Sequence, residues 1–258
     1  MTAYTRLVWK GLVLLMKRNS TSQWFLLLNI FQPLIFATIA FYMFKAGGKQ
    51  GTLLYAALGA GMMGIWSGTL FGSGGLLQWW RWEGTLELMV AAPPPFFFVL
   101  LPACLTSSVL GTYALGATLA WGRLAFGIPL HFEHPWLLLA AIPTTVLSLG
   151  LMGLLMASSF VLYRHANALM NLLEYPVWIA TGLIFPIALL PAWAQPLGWP
   201  LAPRWGIDAI RHAALGGGEI WQPLALTTAL GVVYGVLAFA FLRLFEHLAR
   251  ARATLSLT

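Results

Sequence analysis

Charge is the scarcest property of this sequence. Aspartate, glutamate, lysine and arginine make up 8% of its 258 residues, against roughly a quarter in an ordinary soluble domain. So few ionic groups cannot keep a folded surface in water, which excludes a soluble globular protein. Cysteine is almost absent too. With Cys104 alone, no disulfide can close within the chain and no thiolate cluster can hold a metal. Cys104 lies in an apolar run and is expected to pack as a small hydrophobe. The net charge of +7 is not gathered into one patch, as a nucleic-acid surface would be. It is spread over short segments flanking apolar runs, so no nucleic acid is expected as partner.

Catalytic and cofactor inventories are missing as well. The one Gly-Lys step, Gly48-Lys49, lacks the earlier glycine and the following serine or threonine of a phosphate-binding loop. Any ATP and magnesium would have to sit on another chain, with no cofactor bound here directly. His131 and His134 form an H-x-x-H without a third ligand at supporting distance. Ser67 and Ser73 lie among glycines, yet no histidine stands at comparable depth to serve as a base. The chain is not expected to be an enzyme by itself or to hold a metal.

What is present is apolar length. Hydrophobic residues make up 60% of the chain, and the mean hydropathy is +0.81. Six apolar stretches can be drawn, over residues 24–44, 52–77, 96–121, 136–162, 168–190 and 223–245. Each is long enough to cross a hydrocarbon core of about 30 Å as a helix, and lipid offers no partners for the unpaired backbone of anything looser. The expected fold is all-α: one polytopic transmembrane domain over residues 1–258, in the cell (inner) membrane. No cleavable leader is expected, because the first long apolar run starts only near Trp24. Arg6, Lys10, Lys17, Arg18, Arg81, Arg164, Arg243, Arg250 and Arg252 fall on one side, and Lys45, Lys49, Arg123, Arg204 and Arg211 on the other. The positive-inside bias then makes both termini cytosolic.

Segments between the spans add detail. In residues 1–22, Tyr4, Leu7, Val8, Leu12 and Leu15 recur at helical spacing, with Arg6, Lys10 and Lys17 mostly on another face and Trp9 at the boundary. This predicts an amphipathic helix in the cytosolic interface, touching lipid. Ala60, Gly64, Gly68 and Gly72 set four small residues on one face of the second span. Such a stripe admits another helix closely, either from a second subunit or from the same bundle. The loop over 78–95 holds Arg81, Glu83 and Glu87 around Leu86 and Leu88, and closes with Pro93-Pro94-Pro95. Glu83 and Glu87, four apart, are expected on one face of a short helix that the prolines end. The segment 191–222 is broken by Pro196, Pro200 and Pro203 and carries Trp193, Trp199, Trp205 and Trp221. It is expected to cap the bundle or to re-enter the membrane, with a short helix through Ile207, Ile210 and Leu215 stopped by Gly216-Gly217-Gly218.

Glu174 is the one acidic residue within an expected span. Intramembrane carboxyls are costly and face a cavity or a partner, so Glu174, with Asn171, is read as lining a substrate path, as a proton site or as a structural hydrogen bond.

Arg81-Trp82-Glu83-Gly84-Thr85-Leu86-Glu87-Leu88, followed by Ala92-Pro93, resembles the cytosolic signature of ABC type-2 permeases. Thr181-Gly182-Leu183-Ile184-Phe185-Pro186, then Leu189-Leu190-Pro191-Ala192-Trp193, is similar to their fifth-helix segment. The resemblance extends over nearly the whole chain in order. It implies the transmembrane subunit of an ATP-driven exporter, paired with a second permease copy or paralogue and docked onto two separate ATPase subunits. Arg81, Glu83, Gly84, Thr85, Leu86 and Glu87 would match the coupling helix, and Arg6, Trp9 and Lys10 the connecting helix. Gly182, Phe185, Pro186 and Pro191 would mark the fifth-helix motif, and the cargo would be a hydrophobic or amphiphilic molecule such as a drug, antibiotic, lipid or lipid-linked glycan. Two competing readings are an ion- or proton-coupled carrier centred on Glu174, for which no repeated halves are evident, and a non-transporting membrane scaffold.

Overall fold

The computed structural model describes residues 3–21, 23, 30–47, 53–160 and 166–252, and every regular element among them is helical. In chain order these are α1 (Ala3–Ser20), α2 (Gln32–Ala46), α3 (Leu53–Gly74), α4 (Leu76–Trp82), α5 (Leu86–Ala91), α6 (Phe96–Phe126), α7 (Pro135–Phe160) and α8 (Ala166–Ala180). Two 3-10 turns, Ile187–Leu189 and Gln195–Gly198, then lead to α9 (Ala202–Leu215) and α10 (Trp221–Arg252). Lys49 and Arg164, assigned above to opposite sides, lie outside the described residues.

Among the described residues, four helical runs are long and apolar enough to cross a membrane: Leu53–Trp82, Phe96–Phe126, Pro135–Ser159 and Trp221–His247. They correspond to the second, third, fourth and sixth expected spans. The first, over 24–44, begins in residues that are not described, and α2 covers its remainder. The fifth is corrected. Its helix was expected over 168–190 but ends at Ala180, so α8 has 15 residues, about 22 Å at the α-helical rise.

The core is built around α3. Leu58, Met62, Ile65 and Trp66 on it are essentially inaccessible, enclosed by α2, α6, α7, α8 and α9. Small residues set the spacing of α3 and α6. A Cβ on Gly61 would lie 2.6 Å from Leu115 Cδ1, and one on Gly72 would lie 2.5 Å from Ser107 Oγ. One on Gly64 would overlap Ala114 and come within 2.8 Å of Pro33 on α2. Gly64 and Gly72 of the stripe are therefore packed within the bundle, and Gly68 is half-buried on the same helix. Close approach of this kind substitutes for the hydrophobic drive that lipid removes. It recurs where Gly231 of α10 meets Ser148 of α7, whose hydroxyl donates to the Thr227 carbonyl at 2.8 Å. By contrast α10 leaves Val232, Val236, Phe241 and Leu244 exposed.

Candidate functional site

At one end of the bundle, α3 runs into α4 and the chain then folds back through α5. The expectation of one short helix from Arg81 to Leu88 is corrected here. The α4 helix stops at Trp82, with Glu83 as its C-cap and Gly84 at φ +66°. Gly84 N–H donates to Arg81 at 3.1 Å and Thr85 N–H to Trp80 at 2.9 Å, the paired bonds of a Schellman stop. Glu83 and Glu87 thus belong to different helices. Glu83 accepts a hydrogen bond from Trp79 Nε1 at 2.6 Å, whereas Glu87 lies on α5 with its side chain outside the description. Leu86 and Val90 bury the inner face of α5, while Leu88 is 72% exposed. Arg81, Trp82 and Gly84 are exposed as well. The helix ends before Pro93-Pro94-Pro95, as the prolines require. The result is a jointed bracket, fixed on one side and open on the other.

Helix α1 rests on the start of α6 beside this bracket. Tyr4 stacks on Phe98 with ring centroids 4.8 Å apart. Gly11 faces Pro102, where a Cβ would meet its ring at 3.2 Å. Val8, Leu12 and Leu15 are half-buried on this side, and Arg6, Trp9, Lys10 and Lys17 are exposed.

In the interior, Glu174 of α8 is 3% exposed and accepts a hydrogen bond from Ser67 Oγ of α3 at 2.6 Å. Its cost of burial falls because the carboxyl has a donor. Asn171 is not part of this contact: it sits three residues earlier on an exposed face of α8.

The opposite end holds a group whose burial the sequence did not signal. Arg211, expected among the cations flanking the spans on the side opposite Arg81, is only 5% exposed. Its Nη1 donates to the Gly182 carbonyl at 2.7 Å and its Nη2 to the Leu183 carbonyl at 3.0 Å. Its guanidinium also stacks 3.4 Å from the centroid of Tyr55. The two carbonyls belong to the turn just past α8, where Gly182 at φ +73° makes another Schellman stop: Leu183 N–H donates to Trp178 at 3.1 Å and Gly182 N–H to Ile179 at 3.2 Å. Buried backbone carbonyls need donors, and a cation suits the negative end of the nearby helix dipole. Burial lowers the Arg211 pKa to about 10, which leaves it charged at neutral pH. The Asp208 carboxyl one turn earlier is raised by burial, against the pull of Arg211, His212 and Arg204. A Cβ on Gly59 would overlap the Leu183 carbonyl and stand 2.8 Å from Arg211 Nη2, so the clamp depends on that glycine.

The rest of the expected fifth-helix motif forms the linker after this stop. Phe185 is half-buried, Pro186 precedes the Ile187–Leu189 turn, and the Pro191 carbonyl accepts from Ala194 N–H at 2.9 Å. Helix α9 then packs back along α7, α10 and α3, starting where Tyr234 OH donates to the Pro200 carbonyl and accepts from Ala202 N–H. Its Ile207, Ala209, Ile210, Ala213 and Ala214 are buried. Gly182 after a helical pattern was a readable stop signal; the continuing apolar run concealed it.

Comparison with known families matches residues 3–215 to the model for the ABC-2 type transporter. No curated protein matches the chain.

Proposed function

This chain belongs to the ABC-2 type transporter family, and from that premise we propose that it is the permease half of an ATP-driven exporter. The family makes the chain a membrane-spanning transport component rather than an enzyme, working with an ABC ATPase. We read α4 and α5 as the surface on which that ATPase acts, at the cytosolic side, with both termini on the same side of the inner membrane. The reading has two permeases, as a pair of identical or related chains, standing over two ATPase subunits that carry ATP and magnesium.

The jointed bracket is the observation that supports this reading. Its inner residues Leu86 and Val90 are locked to the bundle while Leu88, Arg81 and Trp82 face outwards, so a push on the exposed face has a firm route inwards. A bound nucleotide can shift only states that it distinguishes, and an exposed bracket anchored in the core supplies such a difference. On this view α1, with Arg6, Trp9 and Lys10 outward, forms a second contact with the ATPase and the lipid headgroups. The Glu174–Ser67 contact would line the path for a hydrophobic or amphiphilic cargo.

Site-specific cross-linking tests the docking surface without knowledge of the cargo. Leu88→Cys in a Cys104→Ser background, carrying a benzophenone maleimide, should give a covalent adduct with the ATPase on illumination in native membranes. Trp193→Cys, at the other end and 76% exposed, should give none. An adduct at Trp193 and not at Leu88 would invert the assigned orientation.

A further inference from the structure

Helix α6 begins immediately after Pro93-Pro94-Pro95, and its first amides have no intrahelical acceptor. Its N-cap, Pro95, supplies no side-chain hydrogen bond. The acceptor comes from far along the sequence: Glu246 Oε1, near the end of α10, takes the hydrogen bond of Phe96 N–H. Glu246 is 8% exposed. A carboxylate at a helix N-terminus is favoured by the local dipole, and inside an apolar cluster such a bond is costly to break.

The surroundings give this bond its significance. A second apolar cluster, separate from the main core, joins Leu77 and Trp80 of α4, Leu86 and Val90 of α5, Phe96 of α6 and Leu242 of α10. Aromatic contacts bind the same two helices around the carboxylate: Phe96 to Phe245 at 6.2 Å and Phe97 to Phe239 at 5.3 Å between centroids. The bracket, the start of α6 and the end of α10 therefore share one small core, with Glu246 as its polar pin.

We infer that Glu246 is a positioning residue for coupling: it locks the first turn of α6 to α10, so that displacement of α4 and α5 moves both helices as one body. This rests on the function proposed above. Apolar contacts alone permit sliding, because they are non-directional. The hydrogen bond fixes the register.

Hydrogen exchange on the permease–ATPase complex in lipid discs tests the inference, with and without ATP and vanadate. The three prolines carry no amide hydrogen, so a peptide over 93–98 reports chiefly on Phe96 and the two residues after it. Glu246→Ala should speed that exchange about tenfold, as loss of a charge-assisted bond would. Glu246→Gln, which keeps an acceptor oxygen, should restore protection, and Glu246→Asp should fall between them. In the wild type, nucleotide should alter exchange in both 76–91 and 96–104. In Glu246→Ala the change should stay within 76–91, and Glu246→Gln should recover its spread. A nucleotide response over 96–104 in Glu246→Ala equal to wild type would overturn the inference. Absence of any response over 76–91 in wild type would instead overturn the underlying function, and the positioning role with it; Phe96 protection would still report on the bond itself. Should Glu246→Ala fail to assemble, the Asp and Gln variants carry the same comparison.

Discussion

Two buried polar residues make separable predictions. Glu174 is held by Ser67 at 2.6 Å, an interaction that a glutamine can keep through its carbonyl oxygen. Glu174→Gln should leave nucleotide-driven conformational change intact, because the exporter reading needs the hydrogen bond and no proton. A carrier driven by protonation at Glu174 would lose all transport in that variant, and proton flux into vesicles measures the difference. Arg211 is the stronger structural element, since two backbone carbonyls in the turn after α8 depend on it. Arg211→Met should lower stability by about 3 kcal/mol, seen as a lower thermal midpoint in detergent. Arg211→Lys, which keeps the charge but loses the planar fork, should cost less. Gly59→Ala pushes a methyl group at the Leu183 carbonyl and the same guanidinium. It should destabilise by about 1–3 kcal/mol, and should still do so when Arg211 is already Met, because the tighter contact is with the Leu183 backbone.

At the level of helices, two glycines decide where the fold departs from a row of uninterrupted spans. Gly84 and Gly182 both adopt positive φ and end a helix with the same pair of backbone bonds. The apolar stretches were legible because hydrophobic length is written directly in composition, and α3, α6, α7 and α10 follow them closely. The stops were less legible. The i, i+4 spacing of Glu83 and Glu87 suggested a shared face that Gly84 interrupts, and the apolar residues after Gly182 continued the pattern of a span. The Arg211 clamp and the Glu246 pin join residues about 30 and 150 positions apart. Neither had any local signature, because sequence periodicity reports faces and not long-range partners. These joints lead to further expectations. Gly84→Val places a β-branched residue at positive φ, at a cost of about 1–2 kcal/mol. Nothing lies within 4 Å of a Cβ there, so the strain sits in the turn itself and should re-aim α5, loosening Leu86 and Val90 from the small core at that end while the main core around α3 stays intact. Retention of the ATPase on affinity resin should drop while the melting point of the permease alone changes little. Gly11→Leu should lift α1 from Pro102, and faster cleavage by protease near Ser20 would show it.

Across the whole molecule, the two ends are built for different tasks. One end holds the jointed bracket, α1 and the Glu246 pin: α1 packs on α6, and the bracket and the pin share a small core with α6 and α10. The other holds the Arg211 clamp and α9, folded back on α3 and α7. Helix α3 connects them, buried along most of its length. A disturbance at the bracket thus has a continuous packed route to the clamp. On the exporter reading, a separate ATPase drives this route. The most direct measurement is affinity purification of the tagged chain from cells co-expressing the neighbouring genes, followed by ATP hydrolysis in lipid. A soluble ATPase should be recovered at one copy per permease, with turnover that vanadate inhibits and that Arg81→Ala with Glu87→Ala uncouples from movement of α6. Recovery of the permease with no ATPase, in mild detergent and with lipid retained, would contradict the exporter reading.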